Sequence, residues 1–110
     1  MEVWIKAKSL AVDIYKMTNE GPFSKDYRFR DQIRSAAISI ASNIAEGDEL
    51  NTNKQSIYYF HIAKGSTAEV MTQLIIAKEV NYISEQQEKE LIDRCDHIAR
   101  MLHRLINSRK

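Results

Sequence analysis

A chain of 110 residues is long enough for one buried core, so we expect a single domain over residues 1–110. Charged residues make up 28% and apolar residues 44%, with one Pro and three Gly, a profile that favours an all-α fold over a β-sandwich or disorder. The net charge of +1 excludes a large uniform field for nucleic acid or an anionic membrane, so any basic surface must be local.

We expect a cytoplasmic protein. No apolar run approaches the roughly 18 residues that a membrane span needs, and charges at Glu2, Lys6 and Lys8 interrupt the first ten residues, unlike a signal peptide. The single cysteine, Cys95, cannot form an intrachain disulfide.

The first predicted helix covers residues 2–19, where apolar residues recur every three or four positions. They are Val3, Ala7, Leu10, Ile14 and Met17. Gly21 can adopt a left-handed C-cap conformation and Pro22 cannot continue a helix, so the helix stops there.

Three aromatic residues, Phe23, Tyr27 and Phe29, lie in or beside the connector that follows. This is more than a solvated loop requires, and we expect them to cover one end of the core.

The second predicted helix covers residues 29–46, with Gly47 as its expected C-cap. Helix three is predicted over residues 53–80 and helix four over 85–107. Each begins at a capping-box pattern, Thr52 with Gln55 and Ser84 with Gln87.

Four helices joined by short turns predict an antiparallel up-down-up-down four-helix bundle. In such a bundle, the apolar stripes of helices two and three align if Ala37 faces Ala63 and Ile40 faces Phe60. Large and small residues would then alternate within each layer of the core.

Helix three carries a second stripe on the face away from this core. The stripe, here called the outer strip, consists of Tyr58, Ile62, Gly65, Glu69, Thr72 and Ile76. A monomer would leave these apolar side chains in water, so we predict an oligomer interface centred on Tyr58, Ile62, Gly65, Glu69 and Ile76. The alternative is that Gly65 is a tolerated surface glycine.

A polar cluster is also predicted. It contains Arg34, Asn43, Glu46 and Glu69, with an Arg34–Glu69 ion pair between helices two and three. One interpretation is a structural bridge and a helix end. The other is a subunit contact that sets register.

The basic residues fall into two groups. The connector cluster is Lys25, Arg28, Arg30 and Arg34, and the C-terminal cluster is Arg100, Arg104, Arg109 and Lys110. Basic residues at the end of a helix also suit its dipole without any ligand. Both clusters are nevertheless candidate nucleic-acid-binding residues, particularly if a ring repeats them.

We predict no catalytic residues, cofactor or metal. None of the three histidines lies three residues after a glutamate, as a di-iron bundle requires. Cys95 lies on the core stripe, where a free cysteine is usually an apolar filler, and no phosphate-binding loop is present.

Several motifs together resemble a known family. They are Phe23, Tyr27, the run from Gln32 to Gly47 (Gln-Ile-Arg-x-Ala-Ala-x-Ser-Ile-x-x-Asn-Ile-Ala-Glu-Gly), Ile62-Ala-Lys-Gly-Ser66, Glu69, Gln73-Leu74 and Tyr82-Ile83. The chain resembles the S23 family, the bacterial four-helix-bundle proteins encoded in 23S rRNA intervening sequences. It departs from the family's tendencies at Ser35, Ala41 and Asp48-Glu49, where the family favours a second arginine, a proline and a basic residue.

The resemblance implies a pentameric ring and a distant likeness to accessory proteins that bind nucleic acid and a reverse transcriptase. We therefore expect a non-enzymatic homo-oligomer with an RNA/DNA-associated or reverse-transcriptase-associated adaptor role. The alternative is a protein-protein scaffold or regulator without nucleic-acid contact. The expected partners are other copies of the chain and RNA or DNA, with neither a membrane nor a small-molecule substrate.

Overall fold

The computed structural model describes residues 1–110. It contains four α-helices, one short 3-10 helix and no strand, which confirms the predicted all-α class with four helices. The α-helices are α1 (Glu2–Met17), α2 (Tyr27–Glu49), α3 (Asn53–Glu79) and α4 (Glu85–Ser108), and the 3-10 helix is Gly21–Lys25.

Each helix packs against two neighbours. α2 contacts α1 and α3, and α4 contacts α1 and α3, whereas α1 does not contact α3 and α2 does not contact α4. The helices therefore form a bundle around one core cluster of 22 buried residues, among them Leu10, Ile40, Phe60 and Leu102.

The helix starts follow the predicted capping chemistry. The hydroxyl oxygen of Thr52 accepts from the amide of Gln55 (3.2 Å), and α3 begins at the next residue. Ser84 and Gln87 form a complete capping box at the start of α4. A side-chain oxygen of Asp26 caps α2 by accepting from the amide of Phe29 (3.2 Å), so α2 begins before the predicted boundary.

Gly47 lies inside α2 rather than at its end, contrary to the predicted C-cap. A β-carbon at this position would lie 2.7 Å from Cε1 of Phe60. The hydroxyl of Ser56 donates to the carbonyl oxygen of Gly47 (2.7 Å). Gly47 is therefore needed for the close approach of α2 and α3, not for a left-handed turn.

The predicted register between α2 and α3 is wrong by more than one helical turn. The hydroxyl of Ser39 pairs with that of Ser66 (2.9 Å), and Phe60 lies against Gly47, seven residues after Ile40. Because α2 continues to Glu49, the turn lies further along the chain than predicted. Each residue of α2 consequently meets a later residue of α3.

Aromatic rings close the end of the bundle near the connector, as predicted for Phe23 and Phe29. Phe23 is fully buried and its ring lies 5.0 Å from that of Phe29 and 5.3 Å from that of Tyr82. Tyr27 does not take part, since it is 66% exposed and lies under the guanidinium of Arg30.

The Tyr82 hydroxyl donates to Asp26 (2.9 Å) and ties the α3–α4 turn to the start of α2. This hydrogen bond, with smaller effects of burial and of the Asp26 charge, raises the pKa of Tyr82.

Replacing Gly47 by alanine tests the close contact. The added methyl group overlaps the Phe60 ring, so we expect Gly47→Ala to lower the free energy of unfolding by about 1–3 kcal/mol in urea denaturation. Combining it with Phe60→Leu relieves the overlap, so the double variant should be more stable than the two separate losses predict. Additive losses would show that the overlap is not the cause.

Candidate assembly and nucleic-acid surfaces

The outer strip lies on a face of α3 that the bundle does not cover. Tyr58 is 63% and Ile76 47% exposed, Gly65 and Glu69 are exposed, and Ile62 is half-buried. A β-carbon on Gly65 would have no atom within 4 Å, so packing inside the chain does not require glycine here. Glycine in a helix interior lowers helix stability by about 1 kcal/mol relative to alanine. No packing contact within one copy offsets this loss.

The polar cluster is not assembled around an Arg34–Glu69 ion pair, which is absent. Nε of Arg34 instead donates to the hydroxyl oxygen of Thr18 (2.8 Å), and Nη2 donates to the carbonyl oxygen of Tyr15 (3.2 Å). Its guanidinium also lies over the Tyr15 ring, 4.4 Å from the centroid. Arg34 points towards α1 because the free carbonyl groups at the C-terminal end of that helix attract a cation.

The other members of the polar cluster are separate from Arg34. The side-chain amide of Asn43 donates to the carbonyl oxygen (2.8 Å) and the hydroxyl oxygen (3.0 Å) of Ser39. The Ser39 hydroxyl is in turn hydrogen-bonded to the hydroxyl of Ser66. Glu46 and Glu69 are exposed, and neither forms an ion pair.

Gln73, one turn after Glu69, is buried, and its Oε1 is the one buried side-chain N or O atom without a hydrogen-bond partner.

Arg34→Lys tests the structural role of Arg34. Lysine keeps the charge but cannot make the forked contact to Thr18 and Tyr15. We expect a loss of about 1 kcal/mol in the free energy of unfolding and an unchanged affinity for RNA at constant salt. An unchanged stability would show that the contact to α1 contributes nothing.

In the connector cluster, two of the four basic residues are already used within the chain. Arg34 binds α1 as described, and Arg30 forms an ion pair with Asp31 (3.2 Å) and donates to the carbonyl oxygen of Ser24. Lys25 and Arg28 are exposed and form no ion pair, so they are free to contact phosphate.

The C-terminal cluster divides in the same way. Arg100 pairs with Asp96 (3.0 Å), and the guanidinium of Arg109 lies 5.1 Å from the centroid of the Phe60 ring. Arg104 and Lys110 are exposed and form no ion pair.

The two basic clusters lie at opposite ends of a molecule 44 Å long. Asp26 and Tyr82 hold the connector at the end with the α3–α4 turn. Arg109 and Gly47 both contact Phe60 at the other end. One copy therefore does not combine the two clusters into one surface.

Sequence reasoning missed an apolar groove between α1 and α2. The groove, of about 610 Å³, is lined on α1 by Trp4, Lys8, Val12, Tyr15 and Lys16. On α2 it is lined by Ile38, Ala41, Ser42 and Ala45, and Ala11 lies at its floor. Trp4, Val12 and Tyr15 lie off the core stripe at helical spacing, so a search for a second stripe on the first helix could have found it.

The structure has no group of three or more His, Cys, Asp or Glu residues that could hold a metal ion. Cys95 is buried, and burial raises the pKa of its thiol to about 12. None of the helices combines the length and the hydrophobicity that crossing a membrane requires.

The model of the 23S rRNA-intervening sequence protein family matches residues 1–104. The chain belongs to this family. The predicted resemblance is thereby confirmed over nearly the whole sequence.

The fold of this family member recurs in a solved structure. It is similar to a protein with unknown function from the S23 ribosomal protein family of Bacteroides thetaiotaomicron VPI-5482, with a TM-score of 0.87 and 24% sequence identity. The alignment covers 94% of this chain and 97% of that one. At this identity the likeness shows the fold alone. A search of curated proteins gave no match.

Proposed function

We propose that this family member is a non-enzymatic, homo-oligomeric helical module that associates with RNA or DNA as an adaptor. The observation that carries the proposal is the outer strip. Its Tyr58 and Ile76 are exposed to water, and packing within one copy does not require glycine at Gly65. Exposed apolar residues that are grouped on one face often mark an interaction site. A cytoplasmic location is part of the proposal, and the unpaired Cys95 favours it.

Within each copy the helices alternate in direction, up-down-up-down. Two contacts between α2 and α3 support this arrangement. Ser39 pairs with Ser66, whereas Gly47, further along α2, meets Phe60, which comes earlier on α3. The short α2–α3 turn, from Leu50 to Thr52, also favours antiparallel neighbours.

The oligomer is a ring, and the family resemblance implies five copies. A ring places the same basic residues of every copy at one rim, because rotation keeps each residue at the same height. Lys25 and Arg28 would then be repeated at one rim, and Arg104 and Lys110 at the other. Repetition converts a pair of weak phosphate contacts in one copy into a multivalent surface.

The second candidate function is a scaffold or regulator that binds protein alone. The observation that favours it is that half of the eight candidate basic residues already have intrachain partners. This leaves a modest positive charge at each end of the bundle.

Self-association is tested by the mass in solution. We expect Ile76→Lys to lower the mass measured by light scattering, because it places a charge in the apolar contact. Ile76→Val is the matched control, since it keeps the position apolar, and it should retain the wild-type mass. A monomeric wild-type protein would refute the oligomer.

Nucleic-acid binding is tested by its salt dependence with a fluorescent single-stranded RNA. We expect the Lys25→Gln/Arg28→Gln and Arg104→Gln/Lys110→Gln variants to bind more weakly. Each should also have a shallower plot of log affinity against log salt, by about 0.7 per lost phosphate contact.

The control for the RNA experiment is Lys89→Gln, an exposed site on the acidic half of α4. Absence of binding by the wild type, or affinity that does not change with salt, would favour the scaffold instead.

A further inference from the structure

Two exposed apolar surfaces border α2 from different sides. On one side, the α1–α2 groove has walls formed by Trp4 and Val12 of α1 and Ile38 of α2. On the other side, Ile76 of the outer strip shares a depression with Phe29 and Gln32 of α2. The two surfaces differ in their residues, so a contact between them joins two different faces of the chain.

We infer that the outer strip of one copy lies in the α1–α2 groove of the next copy. This inference rests on the self-association proposed above and names the two surfaces that meet. A contact between two different surfaces is heterologous, and it generates a closed ring when the rotation between copies divides a full turn. If the groove holds something other than the outer strip, the cross-linking experiment below gives no heterodimer.

At about 1.5 Å per residue, the groove from Trp4 to Lys16 is about 18 Å long, and the outer strip from Tyr58 to Ile76 is about 27 Å long. The groove is therefore long enough to hold the central part of the strip. An amphipathic helix that lays its apolar face into a groove between two helices is a common mode of recognition.

Small residues meet at the centre of this contact. Ser39 is level with Ser66 in one copy, so Ala41 lies at about the height of Gly65. In a ring whose axis runs along the helices, rotation preserves height, and Gly65 of one copy faces Ala41 of the next. A glycine opposite an alanine allows two helices to approach closely, which explains a glycine that has no role within one copy.

The charges of the two surfaces are opposite, because the groove lining contains two lysines and no acid, and the one charged residue of the outer strip is Glu69. Lys8 and Lys16 line the groove, and neither forms an ion pair. Arg34 is level with Tyr15, which places Glu69 of the neighbouring copy within about one turn of Lys16.

Exposed ion pairs contribute little affinity, so these charges select orientation: the α3 helix of the neighbour runs parallel to α1.

Cysteine cross-linking between two single variants tests this contact. Chains carrying Gly65→Cys and chains carrying Ala41→Cys, with tags of different size, are co-expressed and oxidised with copper phenanthroline. We expect a disulfide-linked heterodimer from the mixture and no dimer from either variant alone. Ser42→Cys, an exposed second position in the groove, replaces Ala41→Cys if that variant folds poorly.

Two controls accompany the experiment. Gln86→Cys, exposed on α4, a helix that does not contact α2, should give no heterodimer with Ala41→Cys. The native Cys95 does not compete, because it is buried and its thiol, with a pKa of about 12, stays protonated at pH values near 8.

Different failures have different meanings. Dimers from Gly65→Cys alone would show that two strips pack against each other and would overturn the inference. Absence of any cross-link in a protein of oligomeric mass would overturn it too, while the proposed self-association stands. A wild-type protein that is monomeric by mass would refute both.

Discussion

The close approach of α2 and α3 at Gly47 is the constraint on which the rest of the structure depends. Phe60 occupies the space where a β-carbon would lie, 2.7 Å from its ring, and Ser56 satisfies the Gly47 carbonyl group. This contact lets α2 continue to Glu49 and thereby sets its register against α3. The register then decides which residues are buried, which face outward and which residues of α2 contact which residues of α3.

The two faces of α2 explain how this small protein separates its core from its contacts with other molecules. Ile33, Ile40 and Ile44 of α2 are buried, whereas Ile38 and Ala41 face the groove beside α1. Arg34 is hydrogen-bonded to the end of α1. Its charge, which the sequence analysis assigned to nucleic-acid binding, therefore stabilises the end of that helix instead. Exposed apolar surface therefore lies on both sides of α2, and the unpaired residues of the two basic clusters lie near the ends of the bundle.

Much of the fold followed from local signals. The incorrect predictions concerned contacts between residues that are far apart in the sequence. Capping residues placed the starts of α3 and α4 at the observed residues, because a cap depends only on its near neighbours. The register failed because Gly47 was interpreted from the usual role of glycine at helix ends, while its neighbour Phe60 lies on another helix. The Arg34–Glu69 pair failed for the same reason, since the wrong register brought the wrong helix faces together.

The sequence alone determined the helical class, the four helices, the family and the existence of an apolar strip on helix three. These features depend on composition, periodicity and local motifs, which survive without knowledge of contacts. Only the tertiary structure decided that Gly47 serves close packing, that Arg34 binds α1, that the basic clusters lie apart and that α1 and α2 form a groove. Each of these depends on residues distant in sequence, and their relative positions are set by how the helices pack.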